Sequence, residues 1–375
     1  VLLIDNGFAS LLALPEIIMD HRPDYSHGPD YSHGKNYSHG KRSQLSRRGF
    51  VQSVSVAAVA AATVVPSRGF GDETVKPVPE SLVTKLYNTL SPAQKEEICF
   101  DWDHKDDRGL LRMHVSNNWQ ITGDHKIASG FYTKDQQDMI EALFWGLYAP
   151  DWHDRIKKQL QDDAGGYGKE QSIAIFGQPG TGKFEFVMTG RHLTIRCDGN
   201  SVDHVAFGGP IFYGHAASGF DEEPDHPGNV FWYQAQKANG LFKMLDGKQR
   251  EQALVQQAPR ESQVHFGGPD GRPQGIVISD LSSDQKDHAQ QVLQALIEPY
   301  RTADQEEVRK CLKAQGGLEK CRLAFYKSGD LGNDGVWDNW RLEGPSFVWH
   351  YRGTPHVHVW VNIADNPSVV ITAKG

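Results

Sequence analysis

The sequence predicts an α+β fold of two related halves, each a capped helix followed by antiparallel strands that end in a hairpin. Three observations carry this. Segments at about 131–207 and 280–361 pass through the same series of features in the same order. Both open with a hydroxyl residue ahead of Asp and Gln, as helix N-termini do: Thr133-Lys134-Asp135-Gln136 and Ser282-Ser283-Asp284-Gln285. Both then continue into β-branched and aromatic runs bounded by glycine.

Ahead of the halves lies a leader over residues 1–71. Asp24-Tyr25-Ser26-His27-Gly28 recurs as Asp30-Tyr31-Ser32-His33-Gly34 and Asn36-Tyr37-Ser38-His39-Gly40, a tract that binds transition metals at best loosely. Ser46-Arg47-Arg48-Gly49-Phe50 then precedes an Ala- and Val-rich stretch to Val65. Paired arginines before a weakly apolar run resemble a twin-arginine export signal. That expectation makes the twin-arginine translocation machinery a partner during export. It places the mature chain, 72–375, in the periplasm or outside the cell.

The mature region reads as a single α+β domain. Leu90-Ser91-Pro92-Ala93-Gln94 is a first capped helix start. The helix opened by Thr133 runs through Leu143 and Leu147 to Pro150; that opened by Ser282 runs through Leu293 and Leu296 to Pro299. A glycine pair follows each, Gly165-Gly166 and Gly316-Gly317, and then a strand, Ser172–Phe176 and Arg322–Tyr326. The hairpin candidates Gly190–Gly199 and Gly344–Gly353 correspond, and continuing without a gap sets His204 against His358.

Composition narrows the function. The formal net charge is −8, and residues 72–375 keep 32 Lys/Arg against 42 Asp/Glu. An acidic mature chain has no electrostatic affinity for nucleic acid or anionic membranes. Gly177-Gln178-Pro179-Gly180-Thr181-Gly182-Lys183 imitates a phosphate-binding loop, but Phe184 stands where Mg²⁺ needs a hydroxyl. The residues after it alternate like a strand, so the segment reads as a hairpin turn and nucleotide is excluded. Cys99, Cys197, Cys311 and Cys321 show no zinc-ribbon spacing; Cys311 and Cys321 are placed to close a disulfide outside the cytoplasm or to stay free and buried.

Histidine carries the remaining chemistry. In Thr354-Pro355-His356-Val357-His358-Val359-Trp360 the two imidazoles share one strand face, about 7 Å apart before their side chains converge. His350, in the preceding strand-like run, is expected roughly opposite His356 across a hairpin. His192 follows Gly190-Arg191, and His215 closes Phe207–Gly214. His192, His356 and His358 are the candidate metal ligands, with His192 and His350 as candidate catalytic residues and His204 and His215 in support. Asp198, Asp203 or Glu343 would orient the rings. Arg191, Arg196 and Arg352 suit a substrate carboxylate or phosphate. The aromatics Phe212, Tyr213, Trp232, Trp349 and Trp360 either line a ligand pocket or fill the core.

Gly190-Arg191-His192-Leu193-Thr194, Glu343-Gly344-Pro345-Ser346-Phe347 and Pro355-His356-Val357-His358-Val359-Trp360 together resemble the uncharacterised family called domain of unknown function 3500, in the form typical of exported bacterial proteins. The resemblance spans roughly residues 80–370. It implies that the Gly-x-His and His-x-His pieces are hallmarks, and that other members carry a carboxylate near the place of His350. It brings no established reaction. Two readings follow: a metal-dependent enzyme using zinc or copper, with iron behind them, for hydrolysis or oxidation of a small molecule; and a non-catalytic periplasmic binding protein for a small acid or carbohydrate.

Overall fold

The computed structural model describes residues 78–217, 224–332 and 334–375. The histidine tract and the export signal lie outside the described residues. In chain order the elements are α1 (Pro79–Thr89), α2 (Pro92–Ile98), β1 (Cys99–Phe100), β2 (Lys105–Asp106), β3 (Gly109–Leu110), β4 (His114–Ser116), α3 (Lys134–Gly146), α4 (His153–Ala164), β5 (Ser172–Gly177), β6 (Phe184–Gly190), β7 (Leu193–Cys197) and β8 (Ile211–His215). There follow α5 (Trp232–Met244), α6 (Gly247–Ala253), β9 (Leu254–Val255), β10 (Ile276–Val277), α7 (Ser283–Ile297), α8 (Thr302–Ala314), β11 (Arg322–Tyr326), β12 (Asn339–Gly344), β13 (Phe347–Arg352), β14 (Val357–Ile363) and β15 (Thr372–Lys374). Helices and a largely antiparallel sheet make the fold α+β, as the sequence predicts.

Local chemistry sets the helix starts. The Thr133 hydroxyl accepts from Gln136 N at 3.3 Å, and the Gln136 side chain accepts from Thr133 N at 3.0 Å. Ser91 with Gln94, Asp246 with Gln249 and Ser282 with Gln285 build the same reciprocal cap. Each satisfies two N–H groups that a helix end otherwise leaves exposed, stabilising it by about 1 kcal/mol. The helices stop earlier than the apolar pattern suggested. Gly146 ends α3 and Ile297 ends α7, after which α4 and α8 form as separate helices. Pro150 starts a short 3₁₀ turn, and Pro299 falls in the link between α7 and α8. A ring nitrogen without a hydrogen cannot continue the backbone ladder.

The main sheet has the order β1-β5-β6-β7-β8-β14-β13-β12-β11-β10, with β9 also beside β11. Strands β5 to β8 and β11 to β14 are antiparallel runs that meet where β8 pairs with β14. The loop between β5 and β6 is a hairpin turn: Gly177 pairs with Phe184, and Gln178 N donates to Lys183 O at 2.8 Å. No helix N-terminus follows it, so the phosphate-loop imitation is empty of mechanism.

Alternation along β14 sorts its residues onto two faces. Val357, Val359, Val361 and Ile363 enter the large core shared with Leu143, Phe144, Leu241, Leu293 and Leu296 of the helices. Burial of each such side chain is worth roughly 1.5–3 kcal/mol. His358 and Trp360 face the other way, where Met113, Val115, Phe212, Val264, Val348, Trp360 and Ile371 form a smaller core. Phe212, Tyr213, Trp232, Trp349 and Trp360 are all buried, so packing accounts for them. All four cysteines are free, and of the two alternatives for Cys311 and Cys321 the structure has the unbridged one; both thiols are buried, and burial pushes each up to about 12.

Candidate metal centre

His192 sits in the two-residue turn joining β6 to β7, with Gly190 paired to Leu193. Its φ is +54°, a conformation uncommon for any residue but glycine, and its N–H donates to Asn117 O at 3.1 Å. Leu193 pairs with Tyr213 on β8, so His192 comes level with Gly214. Gly214 in turn pairs with His358 on β14. The middle position of this row has no side chain. A Cβ on Gly214 would lie 2.3 Å from Val357 O and 3.3 Å from His192 Cγ. Glycine therefore leaves the space over which His192 and His358 meet.

The rings converge through one type of atom. His358 Nε2 lies 3.1 Å from His356 Nε2 and 3.2 Å from His192 Nε2, and one ligand atom from each residue falls within 4.8 Å of the other two. Three nitrogens bound tetrahedrally to one ion at about 2.0–2.1 Å stand roughly 3.3–3.4 Å apart. His192 and His358 are buried, and His356 is partly so.

Carboxylates stand behind two of the rings. Asp163 Oδ2 lies 3.0 Å from His192 Nδ1, and Glu261 Oε2 lies 3.0 Å from His358 Nδ1. A carboxylate at Nδ1 keeps the proton there and turns the Nε2 lone pair toward the cluster. Asp163 also accepts from Ala216 N and from Gln159 Nε2, both at 3.0 Å. Burial acts to raise the Asp163 and Glu261 carboxyls, yet both are held below their ordinary value, by His192 in one case and by His358 and Arg352 in the other. Burial, then the neighbouring imidazoles His358 and His192, pull His356 down to about 3. Burial likewise brings His358 down to about 4, against the pull of Glu261. Near neutral pH these two are uncharged, the state in which an imidazole nitrogen binds a metal ion.

Not every sequence candidate arrives here. Arg352, and not His350, ends the paired length of β13 by matching His358; His350 pairs with Trp360 and Arg341. The hairpin expectation that set His350 opposite His356 is thus corrected, because residues 353–356 loop out of the pairing. His350 is buried and accepts from Arg341 Nε at 3.1 Å; burial, then Arg341, hold it well below 6.5. His204 lies in the β7–β8 connection, largely exposed, with Nδ1 2.6 Å from Asp365. Its alignment with His358 fails, since β8 begins only at Ile211. His215 has Nε2 2.9 Å from Asp162 and pairs with Val357, on the face away from His358.

Arg191 is exposed beside His192. Arg352 lies 3.4 Å from Glu261 Oε1. Arg196 is structural: it donates to Pro210 O at 2.7 Å, His114 O at 2.8 Å, Arg112 O and Glu185. The carboxylates behind the rings are not those expected from the sequence. Asp198 accepts backbone N–H groups of Asn200 and Val202, Glu343 lies against Arg341, and Asp203 is exposed. Asp163 and Glu261 take the role from 29 and 97 residues upstream of their histidines, with no spacing motif to mark them.

Fold and site together define an α+β protein with a buried three-histidine cluster suited to a metal ion. The chain belongs to the family described as "Protein of unknown function (DUF3500)", which matches residues 74–365. No curated protein and no solved structure matches the chain.

Proposed function

We propose that this protein is an exported metalloenzyme that binds one transition-metal ion through Nε2 of His192, His356 and His358. The convergence of these three nitrogens, two of them backed by carboxylates, carries the reading. An all-imidazole set suits zinc or copper, with iron behind them. Three protein ligands is the number that catalytic zinc sites use, and His356 is the least buried of the three. Such an ion supplies either an activated water for hydrolysis or, if copper, one-electron chemistry. The chain's part is to orient the rings, with Asp163 and Glu261 fixing the Nδ1 protons of His192 and His358. Export in the folded state through the twin-arginine route suits a centre loaded before translocation.

The test is elemental analysis of protein purified without chelator, beside a His356→Ala/His358→Ala variant. About one zinc or copper per chain is expected in the native protein and none in the variant. Equal content in both removes the proposal.

A further inference from the structure

The sheet face that carries His358 also carries two arginines whose donors exceed the acceptors around them. Arg341 on β12 pairs with His350 on β13, which pairs with Trp360 on β14; Arg352 pairs with His358. Cross-strand partners share a face, and so do residues two apart along a strand, so all five side chains project to one side.

Arg341 is only 4% exposed. Its Nε donates to His350 Nδ1, its Nη1 lies 3.4 Å from Glu343 Oε2, and its buried Nη2 makes no hydrogen bond to a described residue. Arg352 Nη1 and Nη2 reach Glu261 Oε1 and His356 O only at 3.4 Å, and its buried Nε makes none. Guanidinium contacts to carboxylate normally close to about 2.7–2.9 Å. Since His350 Nδ1 accepts from Arg341, its Nε2 carries the proton and is a further donor. Buried N–H groups rarely go without an acceptor.

We infer that Arg341, Arg352 and His350 form an oxyanion subsite that receives a carboxylate or phosphate group of a small-molecule substrate. Arg352 stands across the strand from His358, so a substrate anchored here extends toward the metal centre. The side chain of Arg352 is 23% exposed, which gives the group a way in. The substrate's reacting end rests on the metal reading; the subsite itself does not.

The test is calorimetric titration of the full chain, metal-loaded and after chelation, with succinate, inorganic phosphate and neutral succinamide, with metal content read on the same samples. Succinate or phosphate binding is expected in both forms, with succinamide inert. Arg341→Gln should weaken the anion at least about tenfold and leave metal content unchanged, because Arg341 touches none of the three ligands. Arg341→Lys, which keeps the charge and loses the fork, should fall between, and it serves if Arg341→Gln does not fold. Three outcomes overturn the subsite: no anion binding by the native protein, which leaves water as the acceptor; undiminished binding in the folded Arg341 variants; or binding that vanishes on chelation, which puts the anion on the metal. Anion binding by protein that never holds metal keeps the subsite and removes only the metalloenzyme.

Discussion

His192 and His358 are separated by an intervening strand, yet their Nε2 atoms lie 3.2 Å apart because Gly214 between them carries no side chain. Adjacent strands are about 4.8 Å apart, so two residues flanking a third strand ordinarily stand too far apart to share an ion without leaning inward. The glycine row converts a sheet surface into a ligand set.

Replacing that glycine should therefore damage the site. In Gly214→Ala the new methyl meets Val357 O at 2.3 Å, backbone that must shift, and crowds the His192 ring. Metal content is expected to drop below half of the native value, with a loss of about 1–3 kcal/mol in chemical denaturation. Native metal content in the variant contradicts this account of the row.

The carboxylates behind the rings should tune metal affinity without abolishing it. Asp163→Asn and Glu261→Gln keep the volume and remove the charge at Nδ1. Each should weaken metal binding about 10–100-fold. Competition against a chromophoric chelator reads this directly, and an unchanged affinity in both variants excludes the orienting role.

Acid should destabilise the metal-free protein through the histidines. An unfolded chain takes protons on His356 and His358 near their ordinary value of 6.5, whereas the folded site resists until about 3 and 4. The unfolded state binds more protons throughout that window, so stability rises with pH across it. The contribution is fully present above about pH 6.5 and is lost as pH falls through 4 to 3. Urea midpoints of chelated protein from pH 7.5 to 4.5 should decline, and less steeply in His356→Ala/His358→Ala. Parallel profiles contradict the assignment.

Away from the site, Glu185 and Arg196 are a fully buried ion pair at 2.8 Å. Burial pushes the Glu185 carboxyl up to about 7 despite Arg196 and Arg112. Arg196→Met leaves that acid without its closest charge partner and strips donors from Pro210, Arg112 and His114 carbonyls. A loss of about 3–5 kcal/mol is expected in urea, and Glu185→Gln/Arg196→Met should cost less than Arg196→Met alone.

What the sequence determined by itself is short in range. Thr133, Ser282 and their glutamines announce helix starts because a cap is built within four residues. His358 and Trp360 share a face because a strand repeats every two residues; His356, expected on the same strand, lies just ahead of β14 and still meets His358. The β5–β6 hairpin was legible for the same reason, turn chemistry being local, whereas the turn that holds His192 between β6 and β7 was not read from the sequence. Tertiary structure alone decided the rest. The register of β13 on β14 sent His350 to Arg341 and left Arg352 beside His358, since the length of chain looped out between strands sets pairing and no residue type encodes it. The order β6-β7-β8-β14 brought His192 to His358 across Gly214, and helix α4 and the segment after β9 delivered Asp163 and Glu261. Those contacts join residues 29 and 97 positions apart. Backbone periodicity cannot reach so far, and only packing of the whole chain places a carboxylate behind each of those two rings.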